Sequence, residues 1–137
     1  AILNRKPINV FNYGKMKRDF TYIDDIVEGI YRCCYKPAEI DQNFDKYHPK
    51  KHTSFAPFRI FNIGNSEPVE LLRFIEILEE HLGVKAIKNF LPIQPGDVEA
   101  TAANTDLLDS WVGFKPSISI ETGVENFVKW YINYYRN

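Results

Sequence analysis

The chain has 137 residues, 45% of them hydrophobic and 26% charged, enough for one globular domain or one piece of a larger one. Seventeen Lys and Arg stand against eighteen Asp and Glu, a formal net charge of −1, which removes the electrostatic argument for DNA, RNA or an anionic membrane as partner. No apolar run approaches a membrane span, the first residues lack a secretory-signal core, and Cys33 and Cys34 are neighbours that cannot staple distant segments. The expectation is a soluble, cytoplasmic protein whose cysteines are two small buried residues on a helix.

Ala1 to Arg5 reads as the end of a helix closed by Pro7. Ile8, Val10 and Phe11 form a short strand ended by the turn-prone Asn12 and Gly14, and residues 18 to 23 alternate in a way that predicts a second strand across that turn. Asp24 suits an N-cap for a helix from Asp25 to Lys36, with Ile26, Val27, Ile30, Tyr31 and Cys34 at inward spacing and Pro37 as the stop. Residues 38 to 57 are polar, proline-flanked and locally basic, and read as a solvated loop. His48 and His52 are four apart there, but Pro49 forbids the helix that would aim both at one metal.

Phe58 to Ile63 predicts a buried strand, and Pro68 to Leu82 a helix with Leu71, Ile75, Leu78 and Leu82 inward and Gly83 as its stop. Val84 to Leu91 is extended, and Pro92, Pro95 and Gly96 then impose an irregular segment. Thr105 caps a short helix ended by Gly113. Ser119 starts a last helix that turns Ile120, Val124, Phe127, Val128 and Tyr131 inward. Helices alternating with single short strands define an α/β fold whose sheet is thin for a complete core.

Several signatures are missing. The sequence has no GxGxxG, GxxGxxG or GxxxxGK[ST], so no glycine-rich turn cradles a nucleotide phosphate, and no CxxC, HExxH or GxSxG occurs. Two YxxxK matches, Tyr13 with Lys17 and Tyr47 with Lys51, contain Gly14 and Pro49 where a helix would have to run, and read as accidents. Arg18 follows the Gly14 turn, where a planar five-donor group suits phosphate; the bland alternative is a surface ion pair with Asp19 or Asp24. Asp97 sits in the QPGD turn, fit either to accept two sugar hydroxyls or to bind its own backbone.

FNYGKMKRDFTYIDDIVEGI, FRIFNIGNSEPVEL, LPIQPGDVEATAANTDLLDSWVGFKP and GVENFVKWYINYY, in this order, resemble the C-terminal part of nucleotide-sugar epimerases of the extended short-chain dehydrogenase/reductase family. The resemblance covers nearly all of the chain apart from the 38 to 57 loop. It implies an extended Rossmann-type α/β enzyme, of which residues 1–137 are the UDP-sugar-binding portion, with few short strands and three to four helices. It further implies that bound NAD takes and returns hydride at C4 of the sugar, through a 4-keto intermediate. The NAD turn and the catalytic residues would lie in an N-terminal Rossmann region absent from these residues, leaving the chain alone inactive, with no catalytic, cofactor or metal residue of its own.

Carried over residue by residue, the resemblance puts Asn9 and Phe11 beside uridine, Arg18 on the diphosphate, Asp97 on the ribose hydroxyls and Thr101 near the diphosphate or sugar. Gln94 stands where arginine is common in the wider family, and fits the branch acting on UDP-glucuronate. A UDP-glucuronate decarboxylase, a sugar-nucleotide 4,6-dehydratase and a non-catalytic nucleotide-sugar binding module are the alternatives. As a whole the family implies a UDP-sugar partner, no nucleic acid or membrane, and a homodimer. It also implies that the 58 to 63 strand and the 25 to 36 helix join the sheet of the cofactor region.

Overall fold

A computed structural model describes residues 1 to 136. The order is β1 (Pro7–Val10), a 3-10 turn (Phe11–Gly14), β2 (Lys17–Arg18), α1 (Ile23–Tyr35), β3 (Val69–Glu70), α2 (Leu71–Leu82), β4 (Ile87–Phe90), α3 (Asp106–Val112) and α4 (Ile120–Arg136). The α/β class and all four helices agree with the sequence reading. At the start, Lys6 N–H bonds to Ala1 O at 2.9 Å and Arg5 N–H to Ile2 O at 3.1 Å, with Arg5 at φ 55°, the paired bonds that close a helix C-terminus.

The strands pair differently from expectation. β1 runs parallel to β4, with Pro7 opposite Ile87 and Val10 opposite Phe90, while β2 is antiparallel to β3. The expected pairing of residues 18 to 23 back across Gly14 does not form. Asn12 and Tyr13 take positive φ, which turns the chain away from β1, and β2 ends after Arg18. Phe58 to Ile63 is not a strand either; only Arg59 bridges, to Thr53, because among the described residues no neighbouring strand offers this segment a ladder.

The core lies between α2 and α4, where Ile77, Val124 and Val128 are buried against Phe74, Leu78, Leu82 and Ile120. Phe20 stacks on Phe74 with ring centroids 4.3 Å apart, joining the segment after β2 to this core. Helix α2 begins at Leu71, after Pro68, so the proline precedes the first turn. The Ser119 hydroxyl accepts the Thr122 N–H at 3.2 Å, as its capping role requires. Thr105 flanks α3 but its side chain makes no cap; Asn104 Oδ1 accepts the Asp106 N–H instead, at 3.1 Å.

Helix α1 departs most from its pattern. Asp24 lies inside the first turn and caps nothing, because the helix starts at Ile23. Its buried residues are Asp25 and Gly29, whereas Val27, Ile30 and Tyr31, expected inward, are each more than half exposed. Cys34 is exposed on the same helix and Cys33 only half-buried, against the buried reading of the pair. The apolar stripe exists but has no partner among the described residues, and the opposite face is the one tethered: Asp25 Oδ2 accepts the N–H groups of Ser117 and Ile118 at 2.9 and 2.8 Å.

Candidate functional site

Parallel pairing of β1 and β4 makes both strands release their chains at the same end. Two loops therefore start side by side, residues 11 to 18 and residues 91 to 101. Backbone bonds stitch them along their length. Leu91 N–H bonds to Val10 O, Tyr13 N–H to Leu91 O, Lys17 N–H to Glu99 O and Thr101 N–H to Lys17 O, at 3.0, 3.0, 2.8 and 3.2 Å. Within the second loop, Gln94 O accepts the Asp97 N–H at 3.1 Å over a turn whose third residue, Gly96, has φ +84°, a conformation that favours glycine.

This stitching brings Arg18 and Asp97 together although 79 positions separate them. Arg18 Nη2 donates to Asp97 Oδ1 at 2.9 Å, and Nη1 donates to the carbonyls of Lys17 and Glu99 at 2.9 and 3.3 Å. The pair is neither buried nor free, with side chains 25% and 34% exposed, so it can meet a ligand while water still screens it. Asp97 Oδ1 also accepts the Val98 N–H at 2.8 Å, so the ligand-facing and turn-stabilising readings of this residue coexist geometrically. Neither Asp19 nor Asp24 is the counter-ion of Arg18.

Phe11 opens the 3-10 turn and is half-buried. Thr101 follows Ala100, which bridges Lys17; its hydroxyl accepts the Asp19 N–H at 3.4 Å and lines a cavity with Asn62, Gly64 and Ala103. Gln94 is exposed and contributes its carbonyl to the turn. Asn9 stands in β1 and accepts from Asn89 Nδ2 at 3.0 Å, its opposite number in β4. Phe11, Arg18, Gln94, Asp97 and Thr101 thus share one loop pair, and Asn9 lies in the strand that feeds it.

Comparison with known proteins bears directly on this arrangement. Residues 1–64 match the family described as NAD dependent epimerase/dehydratase. Over 99% of its length the chain is 47% identical to a probable UDP-glucuronate 4-epimerase of Rhizobium meliloti, and it covers 40% of that protein. The chain is similar to members of the epimerase/dehydratase family. It is likewise 47% identical over 99% of its length to Protein CapI of Staphylococcus aureus, covering 41% of it. A UDP-glucuronic acid 4-epimerase from Bacillus cereus, solved with UDP-glucuronic acid and NAD, superposes with TM-score 0.71 at 28% identity, over 94% of this chain and 37% of that one. The chain spans about two fifths of the length of the curated relatives it matches.

The chain's glycines serve packing and turns. Of its seven glycines, two stand where an added Cβ would strike the chain's own side chains, Leu72 at Gly14, and Ala103 and Asp19 at Gly64. Gly83, Gly96 and Gly113, all at positive φ, face open space.

A further organiser of this loop pair carries no sequence motif. Asp19 accepts the N–H groups of Asn65, Ser66 and Ala103 at 3.0, 3.1 and 2.8 Å, locking the segment after β2 to two distant loops. Its partners lie 46 to 84 positions away, so no local spacing announces it.

Proposed function

We propose that this chain is the UDP-sugar-holding, C-terminal portion of an NAD-dependent UDP-glucuronate 4-epimerase that interconverts UDP-glucuronate and UDP-galacturonate, with the redox step carried by residues outside it. The observation that carries the reading is the meeting of Arg18 and Asp97 at 2.9 Å on two stitched loops. Support also comes from relatives named as UDP-glucuronate 4-epimerases at 40–47% identity.

In this reading Arg18 donates to the diphosphate, Asp97 takes ribose hydroxyls, Asn9 and Phe11 flank the uridine, and Gln94 and Thr101 complete the rim. A guanidinium fork matches phosphate oxygens, and charged hydrogen bonds are roughly twice as strong as neutral ones. The division of labour suits an epimerisation, in which the hexose must present both faces in turn to one redox centre. The remote UDP supplies the binding energy, and the reacting ring is left free to rotate.

The complete protein, read in this way as a cytoplasmic homodimer, should convert UDP-glucuronate to UDP-galacturonate, identified by chromatography and NMR of the product. A pentose product with loss of carbon dioxide would instead make it a decarboxylase, a 4-keto-6-deoxy sugar from a UDP-hexose a dehydratase, and no turnover of any UDP-sugar a binding module.

A further inference from the structure

We propose that Asp97 is also a positioning residue for Arg18: one of its carboxylate oxygens fixes the guanidinium while the other meets the ribose, so that a single side chain couples phosphate and pentose recognition. The inference rests on the reading above and adds an arrangement of roles within the site.

The donor and acceptor count leads to it. Arg18 has five N–H donors. Nη1 is engaged by the carbonyls of Lys17 and Glu99, and Nη2 by Asp97 Oδ1. Among the described residues Nε and the second Nη2 hydrogen meet no acceptor, which leaves two donors for an anion. Asp97 divides in the same manner: Oδ1 accepts from Arg18 and from the Val98 N–H, while Oδ2 has no donor among the described residues. A hydroxyl can therefore bind Oδ2 without releasing Arg18.

Two opposing effects of the carboxylate follow. Its charge repels a phosphate bound next to it, and its hydrogen bond holds a long, flexible side chain in one orientation that would otherwise have to be ordered at binding. Both side chains are a quarter to a third exposed, so the repulsion is screened by water and salt, whereas the orientation is not. Orientation is the larger effect, and removal of Asp97 should weaken even a ligand that has no hydroxyls to offer it.

The test is a calorimetric titration of the full-length protein with uridine 5′-diphosphate and with 2′,3′-dideoxyuridine 5′-diphosphate, which lacks the diol. Asp97→Ala should weaken the dideoxy ligand by about tenfold or more, the size of one lost charged hydrogen bond expressed in affinity. Asp97→Asn, which keeps an oxygen for Nη2 and Val98, should restore most of that loss. In an Arg18→Ala background, Asp97→Ala should change dideoxy binding no further. Unchanged or tighter dideoxy binding in Asp97→Ala would overturn the proposal, as would a loss that persists without Arg18, since it would then come from the loop alone. If Arg18→Ala leaves uridine 5′-diphosphate affinity untouched, it is the parent reading that fails.

Discussion

Glu79 shows how a single carboxylate organises the end of α2. It is 3% exposed, accepts from Lys85 Nζ at 2.7 Å and the Ala86 N–H at 3.0 Å, and also pairs with Lys88. Hydrogen bonds from Lys85 and Lys88 outweigh the cost of burial and hold its pKa down, from 4.5 to about 2. The unfolded chain therefore takes up a proton that the folded one refuses between these values, so this contribution to stability is complete above pH 4.5 and drains away as pH falls toward about 2. Glu79→Gln should lower stability at pH 7 by about 1–2 kcal/mol and flatten the acid limb of a stability–pH curve from urea denaturation; a limb as steep as the wild type's would contradict the assignment. A turn and a QPGD motif single out Arg18 and Asp97 in the sequence, while only the resemblance gives them ligand roles. Their pairing is not legible there, because it depends on the parallel register of β1 and β4, which no local pattern encodes.

Among the elements, α2 and α4 followed from their apolar spacing, because each packs against the other inside the chain, although Phe127, expected inward, is exposed on α4. Ile77 is completely buried although it lay outside the expected stripe, since Phe74, Ile77 and Leu78 together form the face that α4 covers. The 58 to 63 segment lacks its ladder and α1 its inward cover for one physical reason: period and composition reveal that a face is apolar, not whether its partner is among these residues. What holds α1 is a polar tether. Asp25→Ala should leave the Ser117 and Ile118 N–H groups without their acceptor and cost about 1–3 kcal/mol in denaturant unfolding. Asp25→Asn, which retains an accepting oxygen, should cost less. Equal losses in the two variants would remove the tether from the account.

Across the whole molecule, one surface stands out. Ile23, Val27, Ile30 and Tyr31 of α1, each more than half exposed, form an outward apolar stripe, and Phe58 and Ile60 are exposed in the segment expected to be a strand. Exposed apolar faces and unpaired strand-like segments favour association. The 137-residue chain produced by itself should accordingly self-associate with rising concentration in light scattering, and Val27→Lys with Ile30→Glu should reduce that association. A wild-type chain that stays monomeric would show that this stripe needs no cover.

The claim on which the functional account depends is that Arg18, held by Asp97 from the other loop, grips the diphosphate of a UDP-sugar. Its most direct test is calorimetric titration of UDP into the full-length protein and its Arg18→Ala variant. The account predicts that binding weakens by about 1.5–3 kcal/mol, the value of a hydrogen bond to a charged group. Equal UDP affinity in the two proteins would contradict it.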